Sequence, residues 1–275
     1  MKKIIISLAA FAMALILPSC LEMETEVTLN KDGSGTITEE FAMAADALAM
    51  SQLNGQGQDP FADHKDEAKL KIKAATYGEG VTFSKVEEIT KKSGSKGVRV
   101  TYNFTDINKV SLSLSDQMSN LGQGKQGGGG FSKEAKDAAA KAKATFAYAD
   151  EKLTITVPQP EGAKGDGVGS STENEGKKID PNDPQVAMMS QMMAGLRMTV
   201  KVTLAAGIAE TDATHHADGT ITLFDFNLDE IMKNPEAMGS LSSMDLKKAD
   251  KFGEAIMKLK GVKMEAKKEI TATAK

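Results

Sequence analysis

The single cysteine of this chain, Cys20, ends an N-terminal apolar segment, and no cysteine follows it in the 275 residues. The segment begins with Lys2 and Lys3 after the initiating methionine, and an apolar run then extends from Ile4 to Leu17. Two positive charges, an apolar run too short for the ~20 residues of a spanning helix and a small residue before the cut are typical of a secretory signal peptide. We expect residues 1–19 to be cleaved, and the remaining body to fold without disulfides, by apolar burial alone.

The residues Leu17-Pro18-Ser19-Cys20 resemble the lipobox of bacterial lipoproteins, in which a small residue precedes the cysteine at the cleavage site. The resemblance implies that Cys20 carries lipid, palmitate included, on its sulfur and on its new amino group. Residues 20–21 would then be a lipid-anchored N-terminus bound to the membrane bilayer. Leu21 replaces the aspartate that signals inner-membrane retention in well-studied Gram-negative cells, so we expect an envelope protein of the outer membrane, facing the periplasm or the cell exterior.

The charge of the body is mildly acidic, because removal of Lys2 and Lys3 changes the formal net charge from −4 to −6. This balance argues against a nucleic-acid-binding protein, which needs a basic face for phosphates. It also argues against polybasic docking onto anionic lipid headgroups, so acyl chains should supply the membrane attachment.

Apolar residues alternate with polar ones in several short segments, which predicts β-strands. In the first of them Met23, Thr25, Val27 and Leu29 share one face, and Glu22, Glu24, Glu26 and Thr28 share the other. Further strands are expected at 36–41, 81–90, 98–104, 146–148, 153–157, 198–204, 222–228 and 262–266. Helical spacing predicts helices at 44–53, 60–75, 132–144, 184–195 and 245–260.

The order of these elements predicts an α+β domain over residues 22–270. Hairpins, rather than strict strand–helix–strand alternation, favour an antiparallel β-sheet with helices packed on one face. Residues 120–131 are glycine-rich and residues 158–183 are rich in proline, glycine and charge. We expect both to be mobile insertions, because structureless loops of such length are uncommon inside a compact domain.

The segment from Asn30 to Phe41 imitates a calcium-binding loop, with oxygen side chains at positions 1, 3 and 5 and a glycine at position 6. Position 12 should be a bidentate glutamate but is Phe41, and the flanks alternate like strands. A hairpin turn around Asp32-Gly33 is therefore the favoured interpretation. Ala217-Asp218-Gly219-Thr220 repeats the same turn chemistry farther along the chain.

The segment from Gly122 to Gly127 matches the G-x-G-x-x-G pattern of dinucleotide-binding loops. The segment before it, Ser111-Leu112-Ser113-Leu114, is half polar, whereas the first strand of a dinucleotide-binding fold is buried on both faces. A flexible linker is the favoured interpretation, and no cofactor is expected.

Four methionines, Met188, Met189, Met192 and Met193, cluster on the helix predicted before residue 195. Thioethers bind Cu(I), and the pairs 188/192 and 189/193 are one helical turn apart. Methionine is also an adaptable core residue, and a methionine-lined apolar groove for a lipid or a protein partner is preferred to copper.

His215 and His216, with Asp212 and Asp218 nearby, form a second possible metal site, although adjacent strand residues point to opposite faces. No metal is expected, because a catalytic site needs three convergent protein ligands. His64 lacks the H-E-x-x-H spacing and is expected on a solvated helix face.

The opening of the body resembles that of uncharacterised bacterial lipoproteins of the LppM-like kind: a Glu/Thr/Val strand, the turn Asn30–Gly35 and a second strand. Segments Gly78–Val81, Asp106–Lys109 and Phe224–Leu228 share this resemblance. It spans residues 22–230 and implies an α+β lipoprotein domain without a catalytic signature. The expected role is non-enzymatic binding of an apolar ligand, a lipid or an envelope protein. A structural component of an envelope assembly and a hydrolase with dispersed active-site residues stay open as alternatives.

Overall fold

The structure, a computed structural model, describes residues 21–54, 59–113, 143–158, 195–233 and 259–275. The strands in these ranges are β1 (Leu21–Leu29), β2 (Gly35–Met43), β3 (Thr82–Thr90), β4 (Lys96–Phe104), β5 (Ser111–Ser113), β6 (Lys143–Ala149), β7 (Lys152–Thr156), β8 (Arg197–Leu204), β9 (Ile208–Thr211), β10 (His216–Ala217), β11 (Thr220–Asn227), β12 (Val262–Met264) and β13 (Glu269–Ala274). The helices there are α1 (Ala45–Asn54), α2 (Ala62–Lys65), α3 (Glu67–Ala74) and α4 (Leu228–Met232), with single 3₁₀ turns at Ala75–Tyr77 and Ile107–Lys109.

Two sheets organise the described residues. In the large sheet the strands follow the order β10-β11-β8-β1-β2-β4-β3, and β12 also pairs with β11. In the small sheet the order is β5-β6-β7-β13-β9. The hairpins β1–β2, β3–β4 and β6–β7 agree with the sequence predictions, because their alternating patterns and turn residues act locally.

One strand pair departs from the expected antiparallel sheet. β1 and β8 run parallel, with Glu22 opposite Arg197 and Leu29 opposite Leu204. Parallel neighbours need a long crossover connection rather than a hairpin. Here the two strands are separated by more than half of the chain, which leaves β8 free to enter the sheet in this direction.

The inward faces of both sheets share one hydrophobic core cluster. Val27, Ile37 and Val202 of the large sheet belong to it, and so do Leu153 and Ile270 of the small sheet, all with no exposed surface. The cluster also includes Leu70 and Ala74 of α3. Burial of these faces is the main stabilising contribution available to a body without cysteine.

The described part of the chain is rich in strands and has few helices. It is broadly compatible with the predicted α+β class, but it is mostly β-sheet. The α1 helix lies where it was expected. The helix expected at 60–75 is split in two, because Asp66 leaves the helical conformation and caps α3 through the backbone amides of Ala68 and Lys69. Packing of helices on one face of a sheet stays a prediction.

Near the C-terminal end, one strand prediction needs correction and one strand was not predicted. A β-bulge between Thr222 and Phe224 breaks the expected alternation of β11 and buries Leu223, and Leu228 begins α4 instead of extending the strand. β13 lacks a strong sequence signal because Ala272 and Ala274 supply small inward side chains. It extends from Glu269 to Ala274.

Three predicted helices and both predicted insertions lie outside the described residues, apart from a few residues at their ends. Of these end residues, Lys143 and Ala144 belong to β6 and not to the helix predicted at 132–144. Among the helices that the structure describes, none combines the length and the apolarity needed to cross a membrane.

Candidate functional site

The residues that the sequence singles out for lipidation and for an apolar groove lie outside the described residues. They are Cys20, Met188, Met189, Met192 and Met193. The glycine motif at 122–127 also lies outside the described residues. The neighbouring Met198 is described and is a core residue of β8. The proposed groove therefore stays a prediction.

The loop that imitates a calcium site is a hairpin turn between β1 and β2. The backbone amide of Asn30 donates to the carbonyl oxygen of Ser34 at 2.8 Å, and Gly33 has a φ of +84°. The Asp32 carboxylate accepts from the amide and the hydroxyl of Ser34, and these hydrogen bonds lower its pKa. The turn thus uses its oxygen atoms internally, as the hairpin interpretation predicts.

The histidine pair does not assemble a metal site within the described residues, where no group of three His, Cys, Asp or Glu side chains converges. His216 is exposed on β10. The Asp212 carboxylate accepts from the backbone amide of Thr271 at 2.7 Å and pairs with Lys267, and the Thr271 hydrogen bond is the main cause of its lowered pKa. Asp212 therefore joins its loop to β13.

A cleft of about 370 Å³ lies where α1, the segment before α2 and the last residue of α2 face the end of β3 and the start of β4. It is lined by Leu48, Gln52, Asp59, Phe61, Lys65, Glu88, Ile89, Thr90, Lys96 and Gly97. Leu48 and Gln52 are four residues apart on α1 and thus share one helix face. Strand pairing places Ile89 beside Gly97 and Thr90 beside Lys96.

The cleft combines apolar side chains with a polar rim. Leu48, Phe61 and Ile89 supply its apolar part, and Gly97 exposes backbone instead of a side chain. On the rim, the Lys65 ammonium contacts Glu88 at 2.7 Å and Asp59 at 2.9 Å. Hydrogen bonds to Glu88 and Asp59 raise the pKa of Lys65, which keeps this lysine charged. The volume falls in the range of ~300–1,000 Å³ found for small-molecule pockets, and the lining is both polar and apolar.

A partly buried polar cluster lies next to the cleft, on the inward face of β2. Glu39 stands opposite Thr25 and Val100, both nearly fully buried, at a position where the pattern calls for an apolar residue. Its carboxylate accepts from the Lys73 ammonium at 2.6 and 2.8 Å and from the hydroxyls of Tyr77 and Tyr102. The charge of this partly buried carboxylate is thereby compensated.

The neutral form of Tyr102 is strongly favoured by this cluster. Burial is the first cause of its raised pKa, and the charge of Glu39 is the second. Tyr102 is therefore a hydrogen-bond donor to Glu39 and not an ionised base at any ordinary pH.

His64 joins the polar cluster to the cleft. Its ring stacks on Phe41 with the ring centroids 4.5 Å apart, and Phe41 meets Phe61 of the cleft edge-on at 5.7 Å. Burial lowers the pKa of His64, and Lys73 lowers it further. His64 is half-buried and not on the solvated face that was expected, because its ring packs on Phe41 of β2.

The space at the polar cluster is small. A cavity of about 30 Å³ is bordered by Glu39, Phe41, His64 and Lys73, among others. This is room for about one water molecule. The cavity at the cluster can hold a water molecule, whereas the neighbouring cleft has room for a larger molecule. The described residues that line that cleft include no serine, cysteine or histidine.

Sequence reasoning missed the polar cluster because its side chains come from different elements of the chain and meet only in the folded structure. One signal was present: in the run Ile37-Thr38-Glu39-Glu40-Phe41, strict alternation assigns Glu39 to the same face as Ile37 and Phe41. A charged residue in an inward row marks a position that needs buried partners.

Comparisons with known proteins give one structural likeness. No protein-family model matches the chain, and no curated protein matches it. The NMR structure of the folded domain of the Mycobacterium tuberculosis LppM protein is similar with a TM-score of 0.29 and 10% sequence identity. That likeness covers 94% of this chain and 91% of the LppM chain.

Proposed function

We propose that this protein is a lipoprotein of the bacterial cell envelope that binds a small, partly apolar ligand without transforming it. The signal-like segment 1–19 and the following Cys20 support attachment through acyl chains on this cysteine. The outer membrane is the proposed location, because Leu21 rather than aspartate follows the cysteine. The net charge of −6 after loss of Lys2 and Lys3 favours a ligand other than nucleic acid.

The observation that carries the binding proposal is the cleft between α1, α2 and the β3–β4 hairpin. Its volume of about 370 Å³ lies in the range of ~300–1,000 Å³ typical of small-molecule pockets. Apolar contacts at Leu48, Phe61 and Ile89 can bury a hydrocarbon portion. The rim lysines Lys65 and Lys96 stand where a polar or anionic group of the same ligand would remain hydrated.

The binding test uses dansyl-labelled undecanoic acid as the probe, with the dansyl group excited directly. We expect saturable binding to the protein and at least a tenfold loss of affinity, about 1.4 kcal/mol, in Leu48→Trp, whose larger ring occupies the cleft. Ile72→Trp is the matched control, since Ile72 is 74% exposed on α3 and lines no part of the cleft. Equal affinity of the two variants, or no binding to the unaltered protein, would refute the proposal.

The anchor is tested separately by growing cells with labelled palmitate. We expect label on the protein and none on Cys20→Ala, which should accumulate as the longer precursor. Labelling of Cys20→Ala, or an unlabelled native protein, would contradict lipid attachment at this residue.

A further inference from the structure

The start of β1 fixes how the body can sit relative to its anchor. Leu21 is already a paired strand residue, opposite Met43 of β2, and only one Cα step of about 3.8 Å separates it from Cys20. No flexible linker therefore intervenes between the site of acylation and the large sheet.

The β3–β4 turn lies at the same end of the sheet as Leu21. Glu22 accepts from the hydroxyl of Ser95 at 3.0 Å and pairs with Lys91 at 3.4 Å. The ladder from Leu21 through Met43 and Lys96 to Thr90 crosses three strand spacings, about 14 Å in all. Ile89, Thr90, Lys96 and Gly97 of the cleft thus belong to the anchor end.

The opposite end of the molecule carries the other turns. Lys31 follows β1, and eight residue steps separate Leu21 from Leu29, about 26 Å along the strand. The β6–β7 turn meets this distal end, since Lys31 pairs with Glu151 at 3.4 Å. Strand β1 therefore separates an anchor end from a distal end.

We infer that the anchor end, formed by Leu21, the start of α1 and the β3–β4 turn, docks on the surface of the bilayer that holds the lipids of Cys20. This inference rests on the proposed acylation of that residue. Acyl chains buried in the hydrocarbon layer bring Cys20 to the headgroup level, and the missing linker brings the strand end with it.

Two exposed lysines at the anchor end outnumber the exposed carboxylate of Asp46 and suit a phospholipid surface. Lys92 and Lys96 are exposed there, and no acidic partner of either is found among the described residues. An ammonium group is attracted to an anionic leaflet. Two such groups are too few to bind the membrane alone, but they favour this face over the acidic remainder once acyl chains hold the body close. The cleft then opens beside the headgroups.

The orientation is testable because the chain contains no tryptophan. Lys92→Trp and Lys31→Trp are matched substitutions of exposed turn lysines at the anchor and distal ends. The full acylated protein, its acyl mass checked by mass spectrometry, is reconstituted into vesicles of phosphatidylcholine and phosphatidylglycerol containing a headgroup-nitroxide lipid. We expect quenching of the tryptophan emission to be several-fold stronger in the Lys92→Trp protein than in the Lys31→Trp protein.

Each outcome decides one question. Equal quenching of both variants, or none of either, in a protein of verified acyl mass would overturn the docking inference while leaving acylation intact. A protein without acyl mass would instead refute the anchor itself. Reversed quenching would place the distal end on the membrane and also overturn the inference.

Discussion

Packing alone does not explain the position of Glu39. It occupies an inward position of β2, its side chain is 19% exposed, and Lys73, Tyr77 and Tyr102 all donate to it. Hydrogen bonds to a charged group contribute ~1.5–3 kcal/mol where their removal leaves partners unsatisfied. The cluster therefore stabilises the packing of α3 on the large sheet.

Replacement of Glu39 by glutamine tests this role. We expect the free energy of unfolding in urea to fall by about 1–3 kcal/mol, since the amide cannot compensate the Lys73 charge. Glu88→Gln is the control: Glu88 is 80% exposed beside Lys65, and its loss should cost less than about 1 kcal/mol. Similar losses for both variants would show that the inward carboxylate has no special role.

His64 makes stability depend on pH in a defined direction. Burial lowers its pKa first and Lys73 next, while Glu39 and Asp63 oppose them. Below the unfolded-state pKa of about 6.5, the unfolded chain takes up a proton that the folded state resists. The contribution of neutral His64 is thus fully present above this pH and is lost as the pH falls toward the folded-state pKa.

The variant His64→Phe keeps a ring next to Phe41 and removes this titration. Between about pH 7.5 and about pH 5, we expect the unaltered protein to lose more stability than His64→Phe, as measured by urea unfolding at each pH. His215 and His216 are present in both proteins and cancel in the comparison. Identical pH dependence of the two proteins would exclude His64 as the source.

At the scale of elements, contact between β2 and β4 depends on a glycine at the cleft. A Cβ atom at Gly97 would lie 2.0 Å from the carbonyl oxygen of Phe41 and 2.6 Å from the Cα of Ala42. Both are backbone atoms, so the steric clash with an added Cβ can be relieved only if the two strands separate. The close approach of β4 to β2 thus needs the missing side chain.

Gly97→Ala should therefore lower the free energy of unfolding by about 1–3 kcal/mol or more, the usual cost of overpacking, and should weaken binding of the dansyl probe. Gly94→Asn is the control in the adjoining turn, where φ is +87° and no atom lies within 4 Å of the added Cβ. Asparagine tolerates this left-handed conformation, so the control should remain within about 1 kcal/mol of the parent. A Gly97→Ala protein as stable as this control would contradict the strand separation argument.

Prediction from sequence succeeded for the elements defined by local signals. β1 and β2 follow from strict alternation around the Asp32-Gly33 turn, and Asp150, in the turn after β6, takes the positive φ typical of tight hairpins. The parallel pairing of β1 with β8 is set by contacts more than 170 residues apart. No local pattern encodes such pairing, and the cleft was unpredictable for the same reason.

At the scale of the whole molecule, the shared core argues that both sheets unfold together. Ile155 of the small sheet and Ile37 of the large sheet have no exposed surface and belong to one contiguous cluster. A core that spans two sheets leaves neither with an independent set of buried contacts. We therefore expect one cooperative transition, although the strands belong to separate hydrogen-bonded ladders.

Single tryptophans can test this cooperativity from each sheet. Tyr148→Trp reports on the small sheet and Phe83→Trp on the large one, and their urea unfolding curves should superimpose. Adding Ile155→Ala should then lower the free energy of unfolding by about 2–5 kcal/mol in both reporters, because the cavity weakens a common core. Ile72→Ala removes the same atoms from a side chain that is 74% exposed and should leave both curves nearly unchanged. Two separate transitions, or a loss confined to the Tyr148→Trp reporter, would show that the small sheet folds independently.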